Sequence, residues 1–143
     1  NNGYGSFNSK DHTPEEMLNV LNVNVIGPIL TIRNLIDFMS NNGKIIIISS
    51  IMGVQAHEGS RATVYRASKA AVNNLMISIS NDLSPKGFIV TAFHPGWVQT
   101  DMGGPNASLN PEESAKSLIN CFLKLTNQDS GCFFNYDGNL MQF

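Results

Sequence analysis

The chain of 143 residues is predicted to adopt an α/β fold built on a parallel sheet. Residues 44–50 and 88–93 are short runs of β-branched and other apolar residues, typical of buried parallel strands. Between them, residues 63–83 carry apolar side chains at helical spacing, which supplies the crossover that parallel strands require. Open α/β sheets bind ligands beyond the carboxyl ends of their strands, so the site is expected at that edge. The residues that fall there are Ser49, Ser50, Tyr65, His94, Pro95 and Gly96.

The first helix has a marked start signal. Thr13 is suited to the N-cap, Pro14 to the first helical position and Glu16 to closing a capping box. Apolar residues then continue almost without interruption over residues 17–38. A helix that is apolar on most sides must be buried on most sides, so we expect burial either within the chain or against a second subunit.

The last helix has the same kind of N-terminal capping signal, at Asn110, Pro111 and Glu113. It is expected to end at about residue 125. The loop before it, residues 97–110, is rich in glycine, proline and other turn-forming residues. Its composition and length favour a mobile lid over a substrate. An ordinary surface connection is the alternative.

Tyr65 and Lys69 form the most informative pair of the sequence. Residues four apart are neighbours on a helix surface, so a helix over residues 63–83 places a phenol beside an ammonium. A positive charge held near a tyrosine favours the phenolate and lowers the pKa, which moves the phenol toward acid/base service near neutrality. The alternative is a half-buried tyrosine with its hydroxyl in water and a lysine lying along the same surface.

Four ordered motifs together resemble the C-terminal part of the short-chain dehydrogenase/reductase family. Tyr65 and Lys69 match the family's Y-x-x-x-K pattern, and Ser50, three residues before Gly53, aligns with its catalytic serine. Asn24 lies in a V-N-x-x-G segment, and residues 95–100 match P-G-x-x-x-T. The amino-acid sequence of residues 94–104 and 134–138 is similar to that of small carbonyl reductases and C-factor-like proteins.

The resemblance implies a Rossmann-like doubly wound sheet and hydride transfer between NADP or NAD and a carbonyl or alcohol substrate. Tyr65 would be the general acid/base, Lys69 would tune it and bind the nicotinamide ribose, Ser50 would hold the substrate oxygen, and Asn24 would hold a proton-relaying water. The subgroup slightly favours NADP. The implied cofactor-binding residues are Asn2, Gly3, Asn24, Tyr65, Lys69, Pro95, Gly96, Val98 and Thr100, and Trp97 and Met102 are expected to line the substrate pocket.

Three of these residues have other interpretations. Ser50 is also suited to capping the end of the strand, and the adjacent Ser49 competes with it for the catalytic position. Asn24 lies in an asparagine-rich helical stretch, and the alternative for it is a side chain that simply faces solvent. His94 is interpreted as a structural histidine at the end of a strand, because the family's reaction already has its acid.

The start of the chain departs from the family pattern. A full-length member opens with a strand and a glycine-rich turn that holds the dinucleotide phosphates at a helix N-terminus, and this sequence contains neither. Residues 1–143 are therefore expected to be a single domain that represents the C-terminal portion of a Rossmann fold. Two other functions stay open: a dinucleotide-binding signalling protein of the C-factor type, and an inactive fragment. In the family, the helices that carry the asparagine and the Tyr/Lys pair commonly pack on a second subunit, so a homodimer is expected.

The amino-acid composition argues against some classes of binding partner. With 42% hydrophobic residues, 14% charged residues and a net charge of −2, the chain lacks the basic footprint of a nucleic-acid or membrane-surface protein. The apolar stretch is interrupted by polar residues, which argues against a membrane span. Cys121 and Cys132 have no metal-ligand spacing, so they are interpreted as reduced packing residues and no metal is expected. A cytoplasmic location is the expectation.

Overall fold

The computed structural model describes residues 13–54 and 62–143. The cofactor contacts expected for Asn2 and Gly3 lie outside the described residues. In the part described, strands and helices alternate along the chain as the sequence predicts.

The described strands form one sheet in the order β1, β2, β3, β4. Its members are β1 (Lys44–Ile48), β2 (Ile89–His94), β3 (Phe133–Asn135) and β4 (Leu140–Met141). The first three are parallel and β4 is antiparallel to β3. The expected strands are confirmed with shifts of one or two residues at their ends, because Ser49 and Ser50 lie just beyond β1 and His94 closes β2.

Helices join the parallel strands. α3 (Thr63–Leu83) connects β1 to β2, and α4 (Pro111–Lys124) connects β2 to β3. Asn110 caps α4 in a reciprocal capping box with Glu113, as the sequence predicts. Lys44 at the start of β1 donates hydrogen bonds from Nζ to the carbonyls of Phe122 and Leu123, so it satisfies the open end of α4.

Alternate strand residues face two separate apolar clusters, as the pleat of a sheet requires. Ile45 and Ile47 pack with α3 residues such as Val72 and Met76. On the other face, Phe93, Phe134 and Leu118 pack together, and the rings of Phe93 and Phe122 meet edge to face with their centroids 5.0 Å apart. Apolar side chains and helices thus cover both faces, which agrees with the doubly wound arrangement.

The sequence predicts one regular helix over residues 17–38, and the structure differs from this prediction. Instead of one helix, the structure has α1 (Pro14–Leu21), a π-helical turn (Asn22–Ile26), α2 (Gly27–Leu35) and a 3₁₀ turn (Ile36–Phe38). The start is as expected, with Thr13 and Glu16 forming the capping box. A π-helical turn inserts one residue into the helical ladder, and apolar periodicity does not reveal such an insertion.

Of the two partners expected to bury this stretch, the described part of the chain itself is not the one that covers it. Between residues 13 and 38, the only buried residue is Val20. Large apolar side chains are instead exposed, with 60% of Leu18, 48% of Leu30 and 85% of Phe38 accessible. Sequence periodicity reports that side chains are apolar, and it does not report which partner covers them.

Two smaller expectations concern membranes and cysteines. Over residues 13–54 and 62–143, no helix has the length and apolar character needed to cross a membrane. Cys121 and Cys132 are half-buried free thiols, and burial is the main cause that raises the pKa of each thiol. In the same ranges, no cluster of histidine, cysteine and acidic side chains is suited to a metal ion.

Candidate active site

A cavity of about 540 Å³ opens beyond the carboxyl ends of β1 and β2. Its position agrees with the rule for ligand sites in open α/β sheets. Three groups of chain segments form it: the end of β1 with its following turn, the first turn of α3, and the loop between β2 and α4 with the start of α4. The sequence-predicted residues that line it are Ser50, Tyr65, Pro95, Gly96, Trp97, Val98, Thr100 and Met102.

Ser50 follows β1 in an extended conformation and caps the 3₁₀ turn Ile51–Gly53. Its Oγ accepts a hydrogen bond of 3.1 Å from the backbone N–H of Met52. The residue therefore does serve as a cap, the alternative role open to it. A hydroxyl that accepts in this way retains its own proton, so Ser50 remains able to donate a hydrogen bond to an oxygen in the cavity.

Tyr65 and Lys69 lie on one face of α3, as their spacing predicts. Tyr65 is buried at the base of the cavity, and Lys69 Nζ lies 5.6 Å from the centroid of the Tyr65 ring, within the range of a cation–π contact. Lys69 Nζ also donates a hydrogen bond of 2.9 Å to the carbonyl of Ile48 at the end of β1. Burial lowers the pKa of the Lys69 ammonium, because desolvation disfavours the charged form.

Asn24 lies apart from the main cavity. It lies in the π-helical turn, half-buried, and its Nδ2 donates a hydrogen bond of 3.0 Å to Ser68 Oγ on α3. Ser68 in turn donates to the carbonyl of Tyr65. Asn24 and Lys69 line a second groove beside β1, so Lys69 connects the surroundings of Tyr65 to the groove that contains Asn24.

The loop after β2 presents backbone groups to the cavity. Val98 and Leu109 form a parallel bridge in which Leu109 N donates to the Trp97 carbonyl and Gln99 N donates to the Leu109 carbonyl. The N–H and C=O of Val98 consequently point away from Leu109, because a bridging residue in a parallel pair uses its neighbours' groups. The Thr100 hydroxyl donates a hydrogen bond of 3.4 Å to the Val98 carbonyl and accepts one of 3.2 Å from the N–H of Gly103, so both groups take part in hydrogen bonds within the loop.

The segment expected to be a mobile lid is joined to itself and to α4 by hydrogen bonds. Trp97 Nε1 donates to the carbonyl of Gly103, Gln99 Nε2 donates to that of Ala107, and Ser114 at the start of α4 holds the carbonyl of Pro95. Gly103 is required in this fold, because a Cβ there would lie 1.9 Å from the Val98 carbonyl oxygen. Trp97 and Met102 line the cavity while remaining 54% and 42% exposed.

The sequence did not predict the hydrogen bond between two buried residues near the cavity, Ser49 and Asn73. Ser49 lines the cavity, and its hydroxyl donates to Oδ1 of Asn73 on α3. Asn73 lies four residues beyond Lys69 on the same helical face, and that spacing is the signal that was available for it. The apolar part of the wall was also not foreseen. It includes Ile51, Met52, Pro111, Ala115 and Leu118.

Comparison with known proteins agrees with the motifs. Residues 1–110 match the model of the short chain dehydrogenase family. An uncharacterized oxidoreductase of Saccharomyces cerevisiae is 39% identical over an alignment that covers 89% of this chain and 57% of the yeast protein. The C-signal protein of Myxococcus xanthus is 36% identical, with 86% of this chain and 76% of that protein covered.

Solved structures give the same result for the fold. The carbonyl reductase Sniffer of Drosophila melanogaster superposes with a TM-score of 0.89 at 31% identity, covering 100% of this chain and 64% of its own. The NADPH-bound carbonyl reductase from chicken fatty liver has a TM-score of 0.85 at 31% identity, with the same coverage. The chain thus spans less than two thirds of the length of these two structures and of the yeast relative. With its Rossmann-like fold and these matches, the chain belongs to the short-chain dehydrogenase family.

Proposed function

We propose that this chain carries the catalytic portion of a nicotinamide-dependent carbonyl reductase. The observation that carries the proposal is the shared cavity of Ser50 and Tyr65, with the Lys69 ammonium 5.6 Å from the tyrosine ring. A proton donor, a second hydrogen-bond donor for the same oxygen and a nearby positive charge are what carbonyl reduction requires from a protein.

The proposed roles are those that the family motifs imply, and the shared cavity supports them. When bound, a reduced nicotinamide would supply a hydride to the carbonyl carbon. Tyr65 gives its proton to the carbonyl oxygen as charge develops there, and the product is an alcohol. Ser50 donates a hydrogen bond to the same oxygen. Lys69, which contacts both Tyr65 and the end of β1, favours the phenolate that remains, and the groove containing Asn24 offers a route for the proton that restores the phenol.

The loop after β2 would hold the nicotinamide end of the cofactor. Val98 and Thr100 would pair with the carboxamide, Pro95 and Gly96 would shape the wall, and Lys69 would bind the ribose. NADP is favoured, because the chicken carbonyl reductase that superposes on this chain is NADPH-bound.

The cavity favours a neutral, apolar carbonyl compound as substrate. Among the described residues that line it, none is a lysine, arginine, aspartate or glutamate, and most of the wall is aliphatic or aromatic. A substrate carboxylate or phosphate would therefore find no opposite charge among these described residues, whereas an aromatic or branched aliphatic ketone would bury its apolar surface against Ile51, Met52 and Trp97.

A second candidate is a signalling protein that binds the dinucleotide without turnover. The observation in its favour is the 36% identity to the C-signal protein of Myxococcus xanthus. Under this proposal the Tyr65 hydroxyl has no chemical task.

The test is Tyr65→Phe in the full-length protein expressed from its complete gene. We expect kcat for the NADPH-dependent reduction of an apolar aromatic aldehyde to fall about 10²- to 10⁴-fold, because the general acid is lost. Binding of NADPH, followed by its fluorescence, should be retained.

Tyr136→Phe is the matched control, because Tyr136 packs against the cluster of Phe93, Leu118 and Phe134. That variant should keep its activity. Equal activity of Tyr65→Phe and the native protein would refute the mechanism. NADPH binding without oxidation by any aldehyde or ketone in the native protein would favour the signalling function.

A further inference from the structure

The buried pair of Ser49 and Asn73 joins the strand end to the helix behind the cavity. Ser49 is 1% exposed and Asn73 is 2% exposed, and the serine hydroxyl donates to Asn73 Oδ1. The two residues are 24 positions apart in the chain, so this hydrogen bond links separate elements. Its neighbours on α3, Val72 and Met76, are fully buried apolar residues, and a polar pair in such surroundings fixes relative geometry strongly.

The pair belongs to a repeated pattern. Tyr65, Lys69 and Asn73 follow one another at intervals of four residues along one face of α3. Lys69 donates a hydrogen bond to the Ile48 carbonyl, and Asn73 accepts one from the Ser49 hydroxyl. Tyr65 lines the same cavity as Ser50, the residue after Ser49. Three successive turns of the helix are thus associated with residues 48–50, although not in the order in which these residues follow one another along the strand.

The Asn73 amide makes this link at a cost. Within residues 13–54 and 62–143, its Nδ2 is buried and has no hydrogen-bond partner. An unsatisfied buried donor lowers stability, and an apolar side chain of similar size would avoid that loss. The backbone of Ser49 is already fixed by a hydrogen bond of 2.7 Å from its N–H to the Phe93 carbonyl, so the side-chain link adds orientation where the ladder ends.

We propose that Asn73 is a positioning residue, which acts through Ser49 to hold the Ser50 hydroxyl against the oxygen that Tyr65 protonates. This inference rests on the proposed carbonyl reduction. Ser50 is the residue after Ser49, and the direction of its hydroxyl depends on how the chain leaves β1. A donor aimed at a developing oxyanion contributes only when it is held in place before the reaction.

The test compares Asn73→Ala with Asn74→Ala in the full-length protein. Asn74 is the same residue type at the next, exposed position of α3. We expect Asn73→Ala to lower kcat about 100-fold, the effect of a misplacement of about 1 Å, while KM and NADPH binding stay within about twofold of the native values. Asn74→Ala should match the native protein.

Ser80→Ala is the control that distinguishes a general loss of stability from a loss of positioning at the site. Ser80 is a buried α3 residue whose hydroxyl contacts Ser84 and Ser130, away from the cavity. This variant should lower the thermal midpoint and leave kcat unchanged. If Asn73→Ala does not fold, Asn73→Leu, which retains the volume, replaces it under the same criteria.

Ser49→Ala and the double variant complete the cycle. If the pair acts as one unit, the double variant should lose no more of kcat than Asn73→Ala alone. A native kcat in the folded Asn73 variant would overturn the inference. If Tyr65→Phe also kept native activity, the proposed function itself would fail, so the two failures are distinguishable.

Discussion

Lys69 occupies an unfavourable environment for a cation. Its ammonium is half-buried between the Tyr65 ring and the end of β1, and desolvation lowers its pKa. Near neutral pH the folded state carries the cost of this partly desolvated charge, and the unfolded chain does not. The charge that serves Tyr65 in the proposed reaction therefore reduces the stability of the fold.

This cost predicts how stability changes with pH. The pKa of Lys69 is lower in the folded state. As the pH rises toward the ordinary lysine value of about 10.4, the unfolded state therefore binds more protons than the folded state does. The free energy of unfolding of the native protein should rise with pH relative to that of Lys69→Met. Urea unfolding of both full-length proteins at several alkaline pH values measures the difference. A difference that stays constant or changes in the opposite direction would contradict the assigned pKa shift.

Individual residues were predictable from the sequence where spacing alone fixes proximity. The interval between Tyr65 and Lys69 predicts their shared face, and the capping boxes at Thr13 and Asn110 are local patterns. The link between Ser49 and Asn73 was not predictable in the same way, because it depends on how far β1 is from α3 and on the angle at which they pack. No local pattern encodes that geometry.

At the scale of elements, the joint between β1 and α3 depends on Gly53. A Cβ at this position would lie 2.6 Å from the backbone carbon of Lys69 and 2.8 Å from the nitrogen of Ala70. These are atoms of the helix backbone, so no side chain can rotate away to make room. The glycine permits the turn after β1 to touch α3 directly, and the contact sets the distance between Ser50 and Tyr65.

Gly53→Ala should therefore separate the two elements. We expect a loss of about 1–3 kcal/mol in the free energy of unfolding, the usual cost of overpacking, together with a lower kcat. Gly27→Ala is the contrasting variant, because a Cβ at this first residue of α2 would meet only the carbonyl oxygen of Asn22, in the preceding π-helical turn, at 3.4 Å. That change should stabilise the protein by about 0.5–1 kcal/mol. Chemical denaturation of both variants provides the measurement, and equal stabilities would show that the contact at Gly53 is not tight.

The elements differ in how well the sequence predicted them. α3 has the predicted bounds and α4 ends within one residue of its prediction, since capping signals and apolar spacing agree there. The loop before α4 was predicted only by its length and composition. Its internal hydrogen bonds, such as the one from Trp97 to Gly103, come from a fold of the loop on itself that composition does not reveal.

At the scale of the whole molecule, α1, α2 and the two turns that follow them leave an apolar surface that no other described residue covers. Its exposed members are Met17, Leu18, Val23, Ile26, Leu30, Leu35 and Phe38. Patches of this kind on a folded protein usually mark an interface. The homodimer expected from the family resemblance is the occupant that we propose for it.

Leu30→Glu tests the dimer. Leu30 is 48% exposed on α2, and a buried carboxylate at a subunit contact would be strongly unfavourable. Light scattering should report a dimer for the full-length native protein and a monomer for the variant. Asn120→Glu, which adds the same charge at an exposed position of α4, should remain dimeric. A native monomer would remove the proposal, and a dimeric Leu30→Glu would place the interface elsewhere.

The π-helical turn at Asn22–Ile26 also constrains how this chain can change in length. Each residue of a helix advances the side-chain direction by about 100°. Deleting one residue from the turn would restore a regular α-helix and leave α2 in nearly its present orientation, because the π-helical turn already absorbs one extra residue. Only side chains of the turn itself, such as Asn24, would change direction. A single deletion between Leu21 and Gly27 should thus preserve the helices and remove the hydrogen bond from Asn24 to Ser68. The length of this segment therefore serves the direction of one side chain more than the packing of the two helices.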